Sequence, residues 1–265
     1  MPSQSIVFDR AAEYYDATRG FPPGVEQPIA ELIAQAGRVS AQSRVLEIGI
    51  GTGRIALPLA QATGATIYGA DLSLPMMHKL RQKQRGEHIH LAQADVTLLP
   101  FPANAFDAVV AVHVFHLIPN WQDALREVGR VLKPSALFIN AGSRESGESD
   151  PLQKLRDAYR AIVPPGSDKR PGVRQEDYAT FPLTQGWRST GEPLTHHYTI
   201  TLSPNQLIEN TASRVFSNCW LIPDELVQAG VVAMRAAAQQ EFADLNQPAE
   251  TKVAFNVRTY APPEG

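Results

Sequence analysis

An α/β chain with a doubly wound, mostly parallel sheet is the architecture this sequence predicts, and three observations predict it. Apolar runs of strand length at 44–48, 66–70, 89–93, 106–112 and 136–141 alternate with helical patterns at 54–62, 75–85 and 121–131, the alternation that builds a parallel sheet covered by helices. Three glycines, Gly49, Gly51 and Gly53, stand where the first strand turns into its helix. Asp71, Asp95 and His113 fall at the ends of later strands. Ligands of such sheets bind beyond the carboxyl ends of the strands, so the chemistry-bearing residues gather on one side.

Taken in order, the chain opens with two expected helices at 11–15 and 25–35, separated by the turn Gly20-Phe-Pro-Pro-Gly24. The alternating core follows, over 41–142. Beyond Gly142 the pattern changes: 143–150 is polar and loop-like, 151–162 reads as an amphipathic helix, and 163–173 is rich in Pro, Gly and charge. A helix at 175–185, a strand at 193–202 containing Thr-His-His-Tyr-Thr-Ile-Thr, helices at 204–214 and 223–242 and a last strand at 251–260 complete the expectation. No second nucleotide motif and no internal repeat is evident, which favours one domain over 1–265: cap helices in 1–40, the core, and insertions at 143–174 and 203–245. The residues separating the last two strands suggest a helical lid, because long excursions between elements tend to carry function.

The first strand end defines a ligand class. Glycine admits positive φ and lets a ligand reach main-chain N–H groups that a β-carbon would block. Asp71, ending the second strand, is placed to accept both hydroxyls of a ribose. A nicotinamide or flavin site needs G-x-G-x-x-G, whereas here Arg54 occupies the place of the last glycine. That fingerprint is broken.

What remains, Glu47-Ile-Gly-Ile-Gly-Thr-Gly53 with an acidic strand end, resembles the first motifs of the class I S-adenosylmethionine-dependent methyltransferases, of the small-molecule, type 11-like kind. Gln93-Ala-Asp95-Val-Thr-Leu-Leu-Pro-Phe101, Ala105-Phe-Asp-Ala-Val-Val-Ala-Val-His113 and Ala124-Leu-Arg-Glu-Val-Gly-Arg-Val-Leu-Lys-Pro134 are similar to that family's later segments, in the usual order. The resemblance covers 8–142 and implies a Rossmann-like sheet closing with an antiparallel hairpin.

It also implies roles. Glu47 would receive the ammonium end of S-adenosylmethionine, Gly49, Gly51 and Gly53 would form the cradle, and Asp71 would hold the ribose. Leu72 and Met76 would give the adenine apolar surface, or else belong to the core. Asp95 would accept from the adenine amine while the Val96 N–H donates to a ring nitrogen, the bland reading being a turn-forming Asp. Tyr14, Tyr15 and Arg19 would close over the methionine moiety, with Arg19 on its carboxylate, the alternative being a surface Arg and a packed Tyr. An N-cap for the helix beginning near Pro75 is better served by Ser73 than by Asp71.

His113 and His116 follow the fourth strand. One is expected to line the cofactor and either to serve as a general base, because an imidazole titrates near working pH; a packing role is the alternative. No acidic or Cys partner accompanies them at ligand spacing, so no metal is expected. Trp187, His196, His197, Tyr198, Cys219 and Trp220 populate the C-terminal third, where an acceptor pocket is to be sought. Cys219 itself reads as a small buried residue.

The formal charge of −3 and pI near 6.2 give no broad attraction for nucleic acid. The longest apolar runs fall short of the roughly 20 residues that span a bilayer. Met1-Pro-Ser-Gln lacks the regions of a secretory signal, and one cysteine makes no internal disulfide. A cytoplasmic enzyme is therefore expected, using S-adenosyl-L-methionine, leaving S-adenosyl-L-homocysteine and methylating a small, partly apolar molecule by in-line displacement. An RNA or protein methyltransferase, a non-catalytic cofactor-binding regulator and a dehydrogenase are the alternatives. Acceptor, pathway and oligomeric state are not encoded in any motif.

Overall fold

The structure, a computed structural model, describes residues 5–145, 150–164 and 166–263. Its strands form one eight-stranded sheet in the order β3-β2-β1-β4-β5-β8-β6, with β7 also paired to β8. The central strands are β1 (Arg44–Ile48), β2 (Thr66–Asp71), β3 (Ile89–Gln93), β4 (Phe106–Val112) and β5 (Leu132–Glu145). Neighbours among these five pair in parallel, β1 between β2 and β4. β6 (Arg188–Ser189) runs antiparallel to β8 (Ala249–Ala261), and β7 spans Leu194–Leu202.

The reversal of strand order beside β1 opens a crevice at the carboxyl ends of β1 and β4. Continuous apolar runs make these strands: Val45, Leu46 and Ile48, and Ala108 to Ala111, are wholly buried, as a sheet covered on both faces requires. Between them run α3 (Ala56–Thr63), α4 (Leu74–Lys83) and α5 (Trp121–Val131). α5 shows how sequence sets packing: Ala124, Leu125, Val128 and Val131 recur at helical spacing and are buried, while Asp123 and Arg126 face solvent as an ion pair. Ser73 caps α4, its side chain accepting from the Met76 N–H at 3.3 Å with Pro75 in the first turn.

The chain divides into two compact units. The first comprises Met1–Ser143, Pro171–His196 and Phe255–Gly265; the second comprises Arg144–Arg170 and His197–Ala254. The second unit thus holds most of both expected insertions. Within it, α6 (Gln153–Ile162) and α7 (Pro204–Ala212) pack on α8 (Asp224–Glu241) around Leu155, Leu207, Ile208, Val227, Val231 and Met234. Gly230 allows this closeness: a Cβ there would lie 2.6 Å from the Tyr159 ring. Asp150, buried, accepts from the Leu152 N–H at 3.0 Å and the Thr251 hydroxyl at 2.8 Å and pairs with Arg156, so its charge is fully compensated.

Three expected elements differ. In place of a helix at 11–15 there is a 3-10 turn, Asp9–Ala11, and then α1 (Tyr15–Arg19); neither N-terminus has a capping side chain, and so short a run does not nucleate alone. α2 spans Glu26–Gly37, close to its expected bounds. The helix expected at 175–185 is instead two 3-10 turns, Gln175–Asp177 and Leu183–Gln185, because Pro182 has no N–H to continue a helical ladder. The strand β6 gives no signal at two residues. Of the polar stretch 143–150, residues 143–145 extend β5, and 146–149 lie outside the described residues, as does the Met1–Gln4 segment. Among the described residues no helix is long and apolar enough to cross a membrane.

Candidate cofactor site

The turn after β1 is built by backbone geometry that side chains would resist. Gly49, Gly51 and Gly53 all have positive φ. At Gly53 a Cβ would fall 2.6 Å from Leu80 Cγ, so α4 packs directly on the loop. At Gly51 a Cβ would approach Met76 Cε at 3.2 Å and Asp71 Oδ2 at 4.0 Å, so a side chain there would crowd α4.

Asp71 meets this loop. Its Oδ2 accepts from the Gly51 N–H and its Oδ1 from the Ser73 N–H, both at 2.8 Å. Burial raises its pKa, opposed by the N–H groups of Ser73, Gly51 and Leu72. Each carboxylate oxygen has a second lone pair, so both retain capacity for a hydroxyl donor. The Ala94 N–H donates to the Asp71 carbonyl at 3.0 Å, bringing the end of β3 alongside. There Asp95 Oδ1 accepts from the N–H and hydroxyl of Thr97, both at 2.9 Å, while Val96 is buried.

A small cavity opens between the loop and α1, lined by Tyr15, Glu47, Gly49, Gly51, Arg54 and Val112 among others. Glu47 is 4% exposed, and its Oε2 has no hydrogen-bond partner among the described residues. Burial pushes its carboxyl well above the usual range, with the charge of Asp71 adding to the rise and Arg54 and the Ala56 N–H opposing it. A buried carboxylate with an idle oxygen is costly unless something cationic joins it.

Arg54 provides the opposite charge. Its guanidinium donates to the Arg19 carbonyl at 2.7 Å and lies 4.7 Å above the Phe21 ring. The Thr52 hydroxyl donates to Asp16 at 2.5 Å, and Asp16 also pairs with Lys83 at 2.7 Å. These bonds fasten α1 and the chain after it onto the glycine loop.

His113 closes β4 with φ +56°. Its Nε2 accepts from the Ser143 N–H at 2.8 Å, which leaves Nδ1 as the proton-bearing nitrogen of the neutral ring. Burial lowers its pKa well below the usual value, reinforced by the positive charge of Arg54, His116 and Arg19. His116 lies on the next turn, its ring 6.1 Å from that of Tyr178. Neither histidine lines the cavity.

The structure therefore brings Tyr15, Glu47, Gly49 and Gly51 to one cavity and places Asp71 and Met76 beside Gly51. Gly53 supports the loop from behind against Leu80. Leu72 is half-buried, its carbonyl accepting from Gln93 at 3.0 Å. In the first unit Trp187 is core, 5.6 Å from Phe138. In the second, the Trp220 indole donates to the Arg214 carbonyl at 2.8 Å, and Cys219 is buried. No cluster suited to a metal ion occurs among the described residues. Sequence reasoning missed Arg54, Thr52 and Val112 as site residues; the signal for Arg54 was its place directly after the last glycine.

Residues 46–140 match the family model described as "Methyltransferase domain", type 11. A demethylmenaquinone methyltransferase of Thermus thermophilus is 39% identical over 102 residues, covering 37% of this chain and 46% of that protein. A fatty-acid O-methyltransferase of Mycolicibacterium smegmatis is 38% identical over 102 residues, covering 38% of this chain and 37% of that protein. The matched region spans less than half the length of either relative. The YcgJ protein of Bacillus subtilis has the same fold, with a TM-score of 0.56 at 18% identity over 89% of this chain and 98% of that one. The glycine turn after β1, the Asp71 carboxylate bonded to it and these matches agree: residues 46–140 are a methyltransferase domain of type 11, on the class I methyltransferase fold.

Proposed function

We propose that the whole chain transfers the methyl group of S-adenosylmethionine to a small, partly apolar acceptor. One observation carries the cofactor half of this reading: the idle Glu47 Oε2 and the Arg54 guanidinium share a cavity at the end of β1. A buried anion and a cation side by side fit the zwitterionic end of an amino acid. Glu47 accepts from the ammonium, and Arg54, with Arg19, holds the carboxylate. Asp71 takes the ribose hydroxyls, Met76 and Leu72 flank the adenine, and Asp95 with the Val96 N–H reads its edge. Tyr15 closes the methionine end.

When bound, the cofactor supplies a sulfonium-activated methyl group, whose transfer is an in-line displacement. The residues present bind, orient and exclude water, which suffices for an acceptor that is already nucleophilic. Where the acceptor needs a base, His113 and His116 after β4 are the candidates, the Nε2 of His113 already accepting from the Ser143 N–H. The quinone and fatty-acid names of the two relatives support a partly apolar acceptor.

Calorimetric titration with S-adenosylmethionine and S-adenosylhomocysteine is expected to show saturable binding, followed by methyl transfer to members of a panel of reduced quinones and fatty acids. Absence of any heat at millimolar cofactor would remove the proposal. Binding with transfer to RNA or protein alone would replace the acceptor class. An Arg54→Met variant should lose affinity for S-adenosylmethionine but little for its decarboxylated analogue. Equal losses would mean that Arg54 only supports the loop.

A further inference from the structure

β7 is an edge strand that carries no charge and no proline of its own. It pairs with β8, and among the described residues no strand lies on its other side. Its nine residues, Leu-Thr-His-His-Tyr-Thr-Ile-Thr-Leu, contain no Asp, Glu, Lys, Arg, Pro or Gly. Edge strands are normally blunted by charge, proline or a bulge because their unpaired N–H and C=O groups recruit other strands. Here prolines occur only outside the strand, at Pro193 and Pro204, where they limit the length available for pairing.

The strand is also close to its own mirror in polarity. Leu194, His196, Tyr198, Ile200 and Leu202 are half-buried, and Thr195, His197, Thr199 and Thr201 are exposed. Two copies related by a two-fold axis perpendicular to the sheet must keep matching faces opposite one another, so a residue can face only one of the same parity. Centring that axis on Tyr198 uses all nine residues. Leu194 then faces Leu202, Thr195 faces Thr201, His196 faces Ile200, His197 faces Thr199, and Tyr198 faces itself. Shifting the centre by one residue either way leaves one end unpaired and sets Tyr198 against a histidine or an isoleucine.

We propose that a second copy of this chain pairs antiparallel along β7, joining two sheets into one across a two-fold axis at Tyr198. The occupant is a second copy because the strand supplies its own complement: leucine at both ends, threonine on the same outer face, and no like charges opposed.

Light scattering over a concentration series is expected to give a dimer. His197→Glu combined with Thr199→Glu places carboxylates opposite each other twice and should weaken dimerisation at least about tenfold. His197→Lys with Thr199→Glu alters the same exposed positions yet sets opposite charges across the axis, and should restore it. Under mild oxidation Tyr198→Cys should give a disulfide-linked dimer on a non-reducing gel, since Cα atoms of directly opposed residues lie about 4.5–5.5 Å apart, within the range a disulfide spans, while Leu194→Cys should not. A monomer at every concentration, a dimer indifferent to both charge variants, or no linkage through position 198 would each overturn the pairing. Circular dichroism of each variant separates loss of the dimer from loss of the fold.

Discussion

The Gly51 N–H donates to the Asp71 carboxylate at 2.8 Å, so the loop after β1 and the end of β2 are one hydrogen-bonded unit before any ligand arrives. The glycine turn and the carboxylate proposed to hold the ribose are therefore preorganised together, and little ordering is left to offset binding. The Ser73 N–H on the other oxygen fixes the plane of the carboxylate.

Asp71→Asn retains one acceptor oxygen and turns the other into a donor, which meets an N–H. Affinity for S-adenosylhomocysteine should fall about tenfold to a hundredfold, from loss of a charge-assisted contact to the ribose. Titration calorimetry measures it. Unchanged affinity in a folded variant would remove the ribose role.

Glu47 links cofactor binding to protons. Its folded pKa is raised by burial, so its contribution to stability is present below the unfolded value near 4.5 and is lost as pH rises through the folded one. The ligand-free wild type should lose melting temperature relative to Glu47→Gln as pH rises from about 5 to 9, the two converging in acid. The same variant should bind S-adenosylmethionine more weakly, because an amide cannot neutralise the ammonium. Parallel melting curves across that range would show that the carboxyl is not held neutral.

His113 has the opposite sign. A histidine with a depressed folded pKa gives stability that is present above its unfolded value near 6.5 and lost as pH falls through the folded one. His113→Gln keeps an acceptor for the Ser143 N–H without a titrating ring. Between about pH 7.5 and 5 the wild type should lose stability faster than this variant in urea denaturation. Equal slopes would mean that the ring is not buried in its neutral form.

Much of this site was legible from residue order because it lies close to the backbone. Strand ends, three alternating glycines and an acid at the end of β2 are local features, and a parallel sheet brings such ends together by its connectivity alone. Elements ruled by local sterics were also legible: β1 to β4 and α5 fall within a residue of the expected bounds. The 175–185 segment was not, since helical composition there yields to Pro182. Asp71 and Glu47 were visible as acids at strand ends, but their pKa shifts depend on burial by residues distant in the chain.

The order of the residues alone determined the α/β class and the glycine turn, because these follow from periodicity and from backbone conformations that glycine permits; the adenosyl ligand came with the resemblance of its motifs to a known family. Only the folded chain decided that Arg54 shares a cavity with Glu47, that the Nε2 of His113 is occupied by the Ser143 N–H, and that β7 forms an uncharged edge. Each of those depends on which groups meet after the chain has closed on itself and water has been excluded, and neighbours in space are not written in neighbours along the chain.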